Sequence, residues 1–116
     1  MKEFMLIFRN ADMNGGISNS NPSQNQIQEK KWDEWLGSIA AQGKMTGGVR
    51  PGTQGRTVKP GNFVTLGPHA EANEILVGYV GIKANSIDEA VEIAKGCPVL
   101  LSGGNVEVRD VIPNPK

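Results

Sequence analysis

Residues 4–8 read Phe-Met-Leu-Ile-Phe, an uninterrupted apolar run between charged residues. A run of this length is typical of a β-strand that is buried on both faces. A second strand of the same kind is predicted over residues 75–84, where Gly78 and Gly81 indicate a bulge or the close approach of a neighbouring segment. Two such strands would give one sheet apolar side chains on both of its faces.

Two amphipathic helices are predicted around these strands. The first begins at Asn21-Pro22, an N-cap residue followed by a first-turn proline, and ends at Gly43. Its apolar stripe has helical spacing and consists of Trp32, Trp35, Leu36, Ile39 and Ala40. The second helix begins with the capping box at residues 86–89, ends at Gly96, and carries on one face Ile87, Ala90, Val91 and Ala94.

Shorter strands complete the pattern. They are predicted over residues 44–50 and residues 105–112. The Pro60-Gly61 pair is typical of a type II turn, so an accessory hairpin is predicted over about residues 56–66. Residues 66–71 are interpreted as an irregular connector.

The element order without the hairpin is strand, helix, strand, strand, helix, strand. This is the split βαβ order of an α+β, ferredoxin-like domain, in which right-handed crossovers place both helices on one face of the sheet. A single domain is expected over residues 1–116, with a loose tail at residues 113–116. The helix-free face would expose apolar residues, which predicts a homodimer whose two sheets pack face to face.

Composition excludes several classes of function. Twelve basic residues balance twelve acidic ones, so neither direct nucleic-acid binding nor membrane binding is expected. The single cysteine, Cys97, and the single histidine, His69, exclude a disulfide framework and a multi-histidine metal site. No cofactor and no metal are predicted. The first apolar run is too short for a signal peptide, and no segment could span a membrane, so a cytoplasmic protein is expected.

One motif indicates a family. Residues 66–71 read Leu-Gly-Pro-His-Ala-Glu and are followed by Glu74, Gly78 and Tyr79. This order resembles the YCII-related family, specifically its DGPF branch, whose pattern is Asp-Gly-Pro-Phe-x-Glu before a Gly-Gly-Tyr strand. The chain departs from that pattern at three positions, where Leu66 replaces the aspartate, His69 the phenylalanine, and Val77 the first glycine. The role of the motif's aspartate therefore does not carry over.

The resemblance implies a dimeric α+β barrel with a cleft lined by the motif loop and the sheet. Some relatives resemble cofactor-free enzymes that act on small aromatic or cyclic compounds, which favours a small-molecule-binding or cofactor-independent enzyme-like dimer. DGPF proteins are also associated with sigma-factor-dependent transcription initiation, so a regulatory protein acting through protein contacts is one alternative. A ligand-binding dimer without catalysis is another, since the motif's aspartate is missing.

The only imidazole is the first candidate for acid–base chemistry. His69 follows Pro68 in a turn, and the hypothesis makes it a general base oriented by the Glu71 carboxylate. The alternative is an exposed loop histidine or a pocket wall. Glu74 lies near enough to Glu71 to form a carboxylate pair, although solvated loop glutamates are commoner.

Further candidates would bind a ligand rather than react with it. Arg50 is the predicted anion contact, while Arg9 and Arg56 could serve the same purpose or form surface or interface ion pairs. Asp12 lies in the loop after the first strand, and Tyr79 would line an inter-sheet cavity if it faces the helix-free side. Cys97 follows a helix C-terminus, which disfavours a nucleophilic thiolate.

Overall fold

The computed structural model describes residues 1–10, 22–49, 51, 54–66, 70–71 and 74–112, with the backbone alone at residues 22–26, 28, 66, 70–71 and 74. The strands are β1 (Lys2–Asn10), β2 (Met45–Val49), β3 (Arg56–Lys59), β4 (Phe63–Leu66), β5 (Ala70–Glu71), β6 (Glu74–Ala84) and β7 (Asn105–Asp110). The helices are α1 (Pro22–Ala41), α2 (Ile87–Ala94) and a short 3-10 helix (Pro98–Ser102).

The main sheet has the order β2-β6-β1-β7, with β5 paired to β6 and every pairing antiparallel. The fold is therefore α+β, and the strand order is compatible with the predicted ferredoxin-like arrangement. The two apolar runs of the sequence form the two central strands, β1 and β6. Each of these two strands is paired with another strand on both sides, as expected for strands with uninterrupted apolar runs.

Side chains of β1 alternate between two environments. Phe4, Leu6 and Phe8 are buried, and they belong to a core that α1 and α2 complete. Met5 and Ile7 point to the opposite side and are half-buried. Since successive residues of a strand face opposite sides of the sheet, one face of the sheet is covered by helices and the other is not.

Both glycines of the predicted second strand mark irregular pairings. Phe8 pairs with Gly78 but Arg9 pairs with Leu76, so one extra residue of β6 forms a bulge there. At the other edge, Met45 pairs with Ile82, and the next pairing is between Gly47 and Gly81. A β-carbon on Gly81 would collide with the hydroxyl of Thr46, the extra residue of β2. The predicted bulge or close approach is confirmed at each glycine.

Helix α1 is held to the sheet by aromatic rings. The Trp32 and Trp35 rings pack edge to face on Phe8, with centroids 5.2 and 5.8 Å from the Phe8 ring. Trp35 also donates a hydrogen bond from Nε1 to the Ile93 carbonyl at 3.1 Å, which links α1 to α2. Both tryptophans of the predicted stripe thus pack against the core, whereas Ala40 at its end is exposed.

The chain leaves α1 in the predicted way. Gly43 has a φ of +68°, a left-handed conformation that favours glycine. The amide of Lys44 donates to the Ile39 carbonyl at 3.2 Å, which satisfies one of the helix's last carbonyls. The predicted start at Asn21 lies outside the described residues.

Helix α2 begins at the predicted capping box, since Ser86 Oγ accepts a hydrogen bond from the Glu89 amide at 3.2 Å. Its predicted apolar face is only half correct. Ala90 and Ala94 are buried, but Ile87 is 50% exposed and Val91 is 36% exposed. Small alanines let this short helix lie close to the sheet, and the larger side chains beside them stay accessible to solvent.

The segment after α2 contains an element that the sequence did not predict. Helix α2 ends at Ala94, and Pro98 starts the 3-10 helix, whose Val99 is fully buried. Gly103 closes this helix with a φ of +85°. This short helix begins at a proline and places apolar side chains in the core. It lacks the periodicity by which longer helices are recognised in a sequence.

The accessory hairpin consists of β3 and β4 and forms a sheet of its own. Its three-residue loop contains Gly61 at φ +83° and Asn62 at φ +61°. The interpretation of residues 66–71 as an irregular connector is wrong at both ends, because Leu66 ends β4 and Ala70–Glu71 forms β5. No helix in the described part of the chain is long and apolar enough to cross a membrane.

Candidate functional site

A groove of about 490 Å³ lies between helix α1 and the edge of the sheet formed by β2 and β6. Its floor is residues 77–80 of β6, and Gly47, Gly48 and Val49 of β2 form one side. The opposite side belongs to α1. The remaining lining residues come from α1, from β1 and from the start of β2, and they are Phe8, Glu29, Trp32, Asp33, Leu36 and Met45.

The groove exists because β2 has no side chains where they would fill it. A β-carbon on Gly48 would lie 2.9 Å from Val80 Cγ2 and 3.0 Å from the Tyr79 carbonyl oxygen. These distances are shorter than ordinary van der Waals contacts, so the position favours glycine. Gly48 pairs with the buried Val80 and so faces the helices, and its missing side chain leaves the space beside Trp32 and Leu36 open.

The walls of the groove are mainly apolar, and the charged side chains among its described lining residues come from α1. Glu29, Trp32, Asp33 and Leu36 recur at helical spacing and share one side of the helix. Trp32 and Leu36 are half-buried, whereas the two acidic residues are exposed. The site thus combines an aromatic and aliphatic interior with carboxylates at its opening.

A second candidate surface is the helix-free face of the sheet. Tyr79 pairs with Ile7 on one side and Val49 on the other, and it alternates with the buried Val80. Its side chain therefore points to the helix-free face, where it is 38% exposed. Leu76, opposite Arg9, is 42% exposed.

Charged residues border this apolar face. Arg9 Nη1 donates to Glu107 Oε1, and Arg109 Nη1 donates to Glu107 Oε2 at 3.0 Å. Hydrogen bonds from Arg109 and then from Arg9 lower the pKa of the Glu107 carboxyl. The sequence predicted that Arg9 could form an ion pair, and this prediction is confirmed. Glu107 and Arg109 share one face of β7.

Only some of the predicted site residues are among those that the structure describes. Tyr79 belongs to the strand segment that forms the groove floor. Glu71 and Glu74 are opposite each other in the β5–β6 pairing. Outside the described residues lie Asp12, Arg50, Pro68 and His69.

Two further predictions concern Cys97 and Arg56. Cys97 is 2% exposed, and burial raises the pKa of its thiol to about 12. The thiol is therefore a poor nucleophile, as predicted, although the cause is desolvation rather than the helix dipole. Arg56 is exposed, and its Nη1 donates to the neighbouring Gly55 carbonyl at 2.7 Å.

The sequence reasoning missed the groove itself. None of the sequence predictions places the acidic residues beside the α1 stripe at a ligand site. Glu29, Asp33 and Leu36 stand at i, i+4 and i+7, a spacing that places carboxylates on the flank of the apolar stripe. That spacing was the available signal.

The antiparallel sheet with helices on one face defines a small α+β protein with an apolar groove. Within that class, the family model of the YCII-related domain matches residues 10–114, so the chain belongs to the YCII-related family. A search of curated proteins found no match.

Proposed function

We propose that the protein binds a small, predominantly apolar molecule in the groove between α1 and the β2–β6 edge. The groove itself supports this most directly. Its volume of about 490 Å³ falls in the range of roughly 300–1,000 Å³ that is usual for small-molecule sites. Its walls carry the rings of Phe8 and Trp32, which bury much apolar area at little cost in conformational entropy.

Binding can be measured with the neutral fluorescent probe N-phenyl-1-naphthylamine. Leu36→Trp, which enlarges a wall residue, is expected to weaken saturable binding of this probe at least tenfold. Ile27→Trp is the matched control, because residue 27 is nine positions from Leu36 and so lies on the opposite side of α1. Equal binding by the two variants, or no saturable binding by the natural chain, would contradict the proposal.

The catalytic form of this proposal assigns cofactor-independent chemistry to the motif loop. His69 is the general base and Glu71 its orienting acid. The loop leads into β5, which pairs with the start of β6, the strand that forms the groove floor. Along β6, Ile75 lies about 10 Å from Gly78 of that floor. With a substrate identified by screening, His69→Ala is expected to abolish turnover and leave the melting temperature nearly unchanged. Retained turnover would remove His69 from this role.

We also propose that two copies pair through their helix-free faces as a dimeric α+β barrel. Met5 and Ile7 at the centre of this face are half-buried, while Val49, Leu76 and Tyr79 are exposed. A second sheet packed at about 10 Å would remove these side chains from water. The Arg9–Glu107–Arg109 cluster would then lie among the polar contacts beside this apolar region.

A charge placed on this face tests the pairing. Leu76→Lys would bring an ammonium beside Arg9 inside the interface, and we expect it to raise the dimer dissociation constant at least tenfold. Val64→Lys is the control, since Val64 is an exposed apolar residue of the separate β3–β4 hairpin. Sedimentation equilibrium of both variants gives the comparison. Equal dissociation constants would remove Leu76 from the interface.

A further inference from the structure

The groove has charged side chains of one sign among its described lining residues. Glu29 and Asp33 are one helical turn apart on α1, and no Lys or Arg of the described part of the chain lines the groove with them. Neither carboxylate takes part in an ion pair within the described residues. The nearby Lys44 ammonium is engaged elsewhere, 3.2 Å from Glu89 Oε1.

This arrangement of two carboxylates is unfavourable for the helix by itself. Like charges at i and i+4 repel each other and slightly destabilise a helix. A cation bound between Glu29 and Asp33 would be attracted to both carboxylates and so would offset their repulsion. Trp32 lies between them in sequence and also lines the groove, and the negative face of an indole ring attracts cations as well.

We propose that the natural ligand of this groove carries a protonated amine on an apolar body. The inference deepens the proposed function and rests on it. The apolar body would contact Trp32, Leu36 and the floor at residues 77–80, and the ammonium would lie at the opening beside Glu29 and Asp33. The class of ligand is therefore an arylalkylamine or a similar amphiphilic amine.

Three probes of nearly equal size separate the contribution of charge to binding affinity from the contribution of apolar contact. They are 2-phenylethylammonium, neutral 3-phenylpropanamide and anionic 3-phenylpropionate, each titrated by calorimetry at low salt. We expect the cation to bind at least tenfold more tightly than the anion, with the neutral probe between them. This preference is expected to shrink as salt is added, because the two carboxylates are exposed to solvent.

Isosteric neutral variants identify the groups responsible. The double variant Glu29→Gln and Asp33→Asn is expected to bind all three probes with nearly equal affinity. Glu34→Gln is the matched control, because it removes one carboxylate from α1 at an exposed position that does not line the groove. It is expected to keep the full preference for the cation.

The outcomes distinguish this inference from the proposed function. Equal binding of the three probes by the natural chain, or tighter binding of the anion, would overturn the amine proposal and leave the groove as a ligand site. An unchanged preference in the double variant would also overturn it. Failure of all three probes and of N-phenyl-1-naphthylamine to bind would overturn both proposals.

Discussion

The two faces of the same sheet differ in how they are covered. On one face, Phe4, Leu6 and Phe8 of β1 are buried beneath the helices. On the other, the residues between them, Met5 and Ile7, are only half-buried. Both sets come from one uninterrupted apolar run, so the difference arises from the element order, which places both helices on one side.

This comparison shows what an apolar strand does and does not specify. The run at residues 4–8 specifies a central strand, and β1 is central. It does not specify what covers each face, because one chain with two helices covers only one. Apolar residues on the uncovered side are the physical reason to expect a second copy of the chain there.

The largest expected effect is the difference between neighbouring residues of β1. Leu6 is fully buried, so Leu6→Ala is expected to lower the free energy of unfolding by about 2–5 kcal/mol. Ile7 is half-buried, and Ile7→Ala is expected to cost only about 1–2 kcal/mol in dilute solution. Urea unfolding of the two variants measures both values.

Unfolding the two variants at several protein concentrations tests this prediction further. If a second copy covers Ile7, the cost of Ile7→Ala increases with protein concentration, whereas the cost of Leu6→Ala stays constant. Equal costs for the two variants at low concentration would show that the two faces are equally buried within one chain. That result would contradict the comparison.

A second prediction uses Cys97, which is buried with the helix-covered core. Burial raises the pKa of its thiol to about 12, above that of an unfolded chain, so folding is favoured while the thiol keeps its proton. As pH rises above about 9 the unfolded thiol ionises first, and stability is expected to fall by about 1–2 kcal/mol by pH 10.

The variant Cys97→Ala isolates this contribution from other groups that titrate in alkali. We expect the stability of the natural chain to decrease more steeply than that of the variant between pH 8 and pH 10. Parallel curves, or rapid labelling of the native thiol by a disulfide reagent, would place Cys97 in an exposed environment.

The smallest expected effect concerns the charged border of the helix-free face. Hydrogen bonds from Arg109 and Arg9 lower the pKa of Glu107, so its contribution to stability is present above the carboxyl's ordinary pKa and is lost as pH falls through the lowered value. Glu107→Gln is expected to destabilise slightly at pH 7 and not at acidic pH. A stability difference that persists in acid would assign the effect to packing instead.

Most of the fold could be predicted because its signals are local. The apolar runs, the capping box at residues 86–89 and the glycine after α1 each specify an element from a few neighbouring residues. Ile87 and Val91 were placed correctly on a helix but incorrectly in the core, since burial depends on how closely that helix approaches the sheet. The pairing of Ala70–Glu71 with β6 was missed because a two-residue strand has no periodicity.

Less of the candidate site could be predicted, because the groove depends on distant segments meeting. No sequence motif marks Gly48 as part of a site, and only its pairing with β6 shows that this glycine leaves space beside Trp32. Glu29 and Asp33 carry no motif, so their position at the groove became visible only with α1 in place. The motif around His69 indicated the family, which the comparison with the YCII-related domain confirms.

The mass of the natural chain in solution tests the central claim most directly. Size-exclusion chromatography with light scattering at micromolar concentration is expected to give twice the 12.4 kDa of one chain. A single species of 12.4 kDa across that range would contradict the account, because the apolar side of the sheet would then be stable in water without a partner.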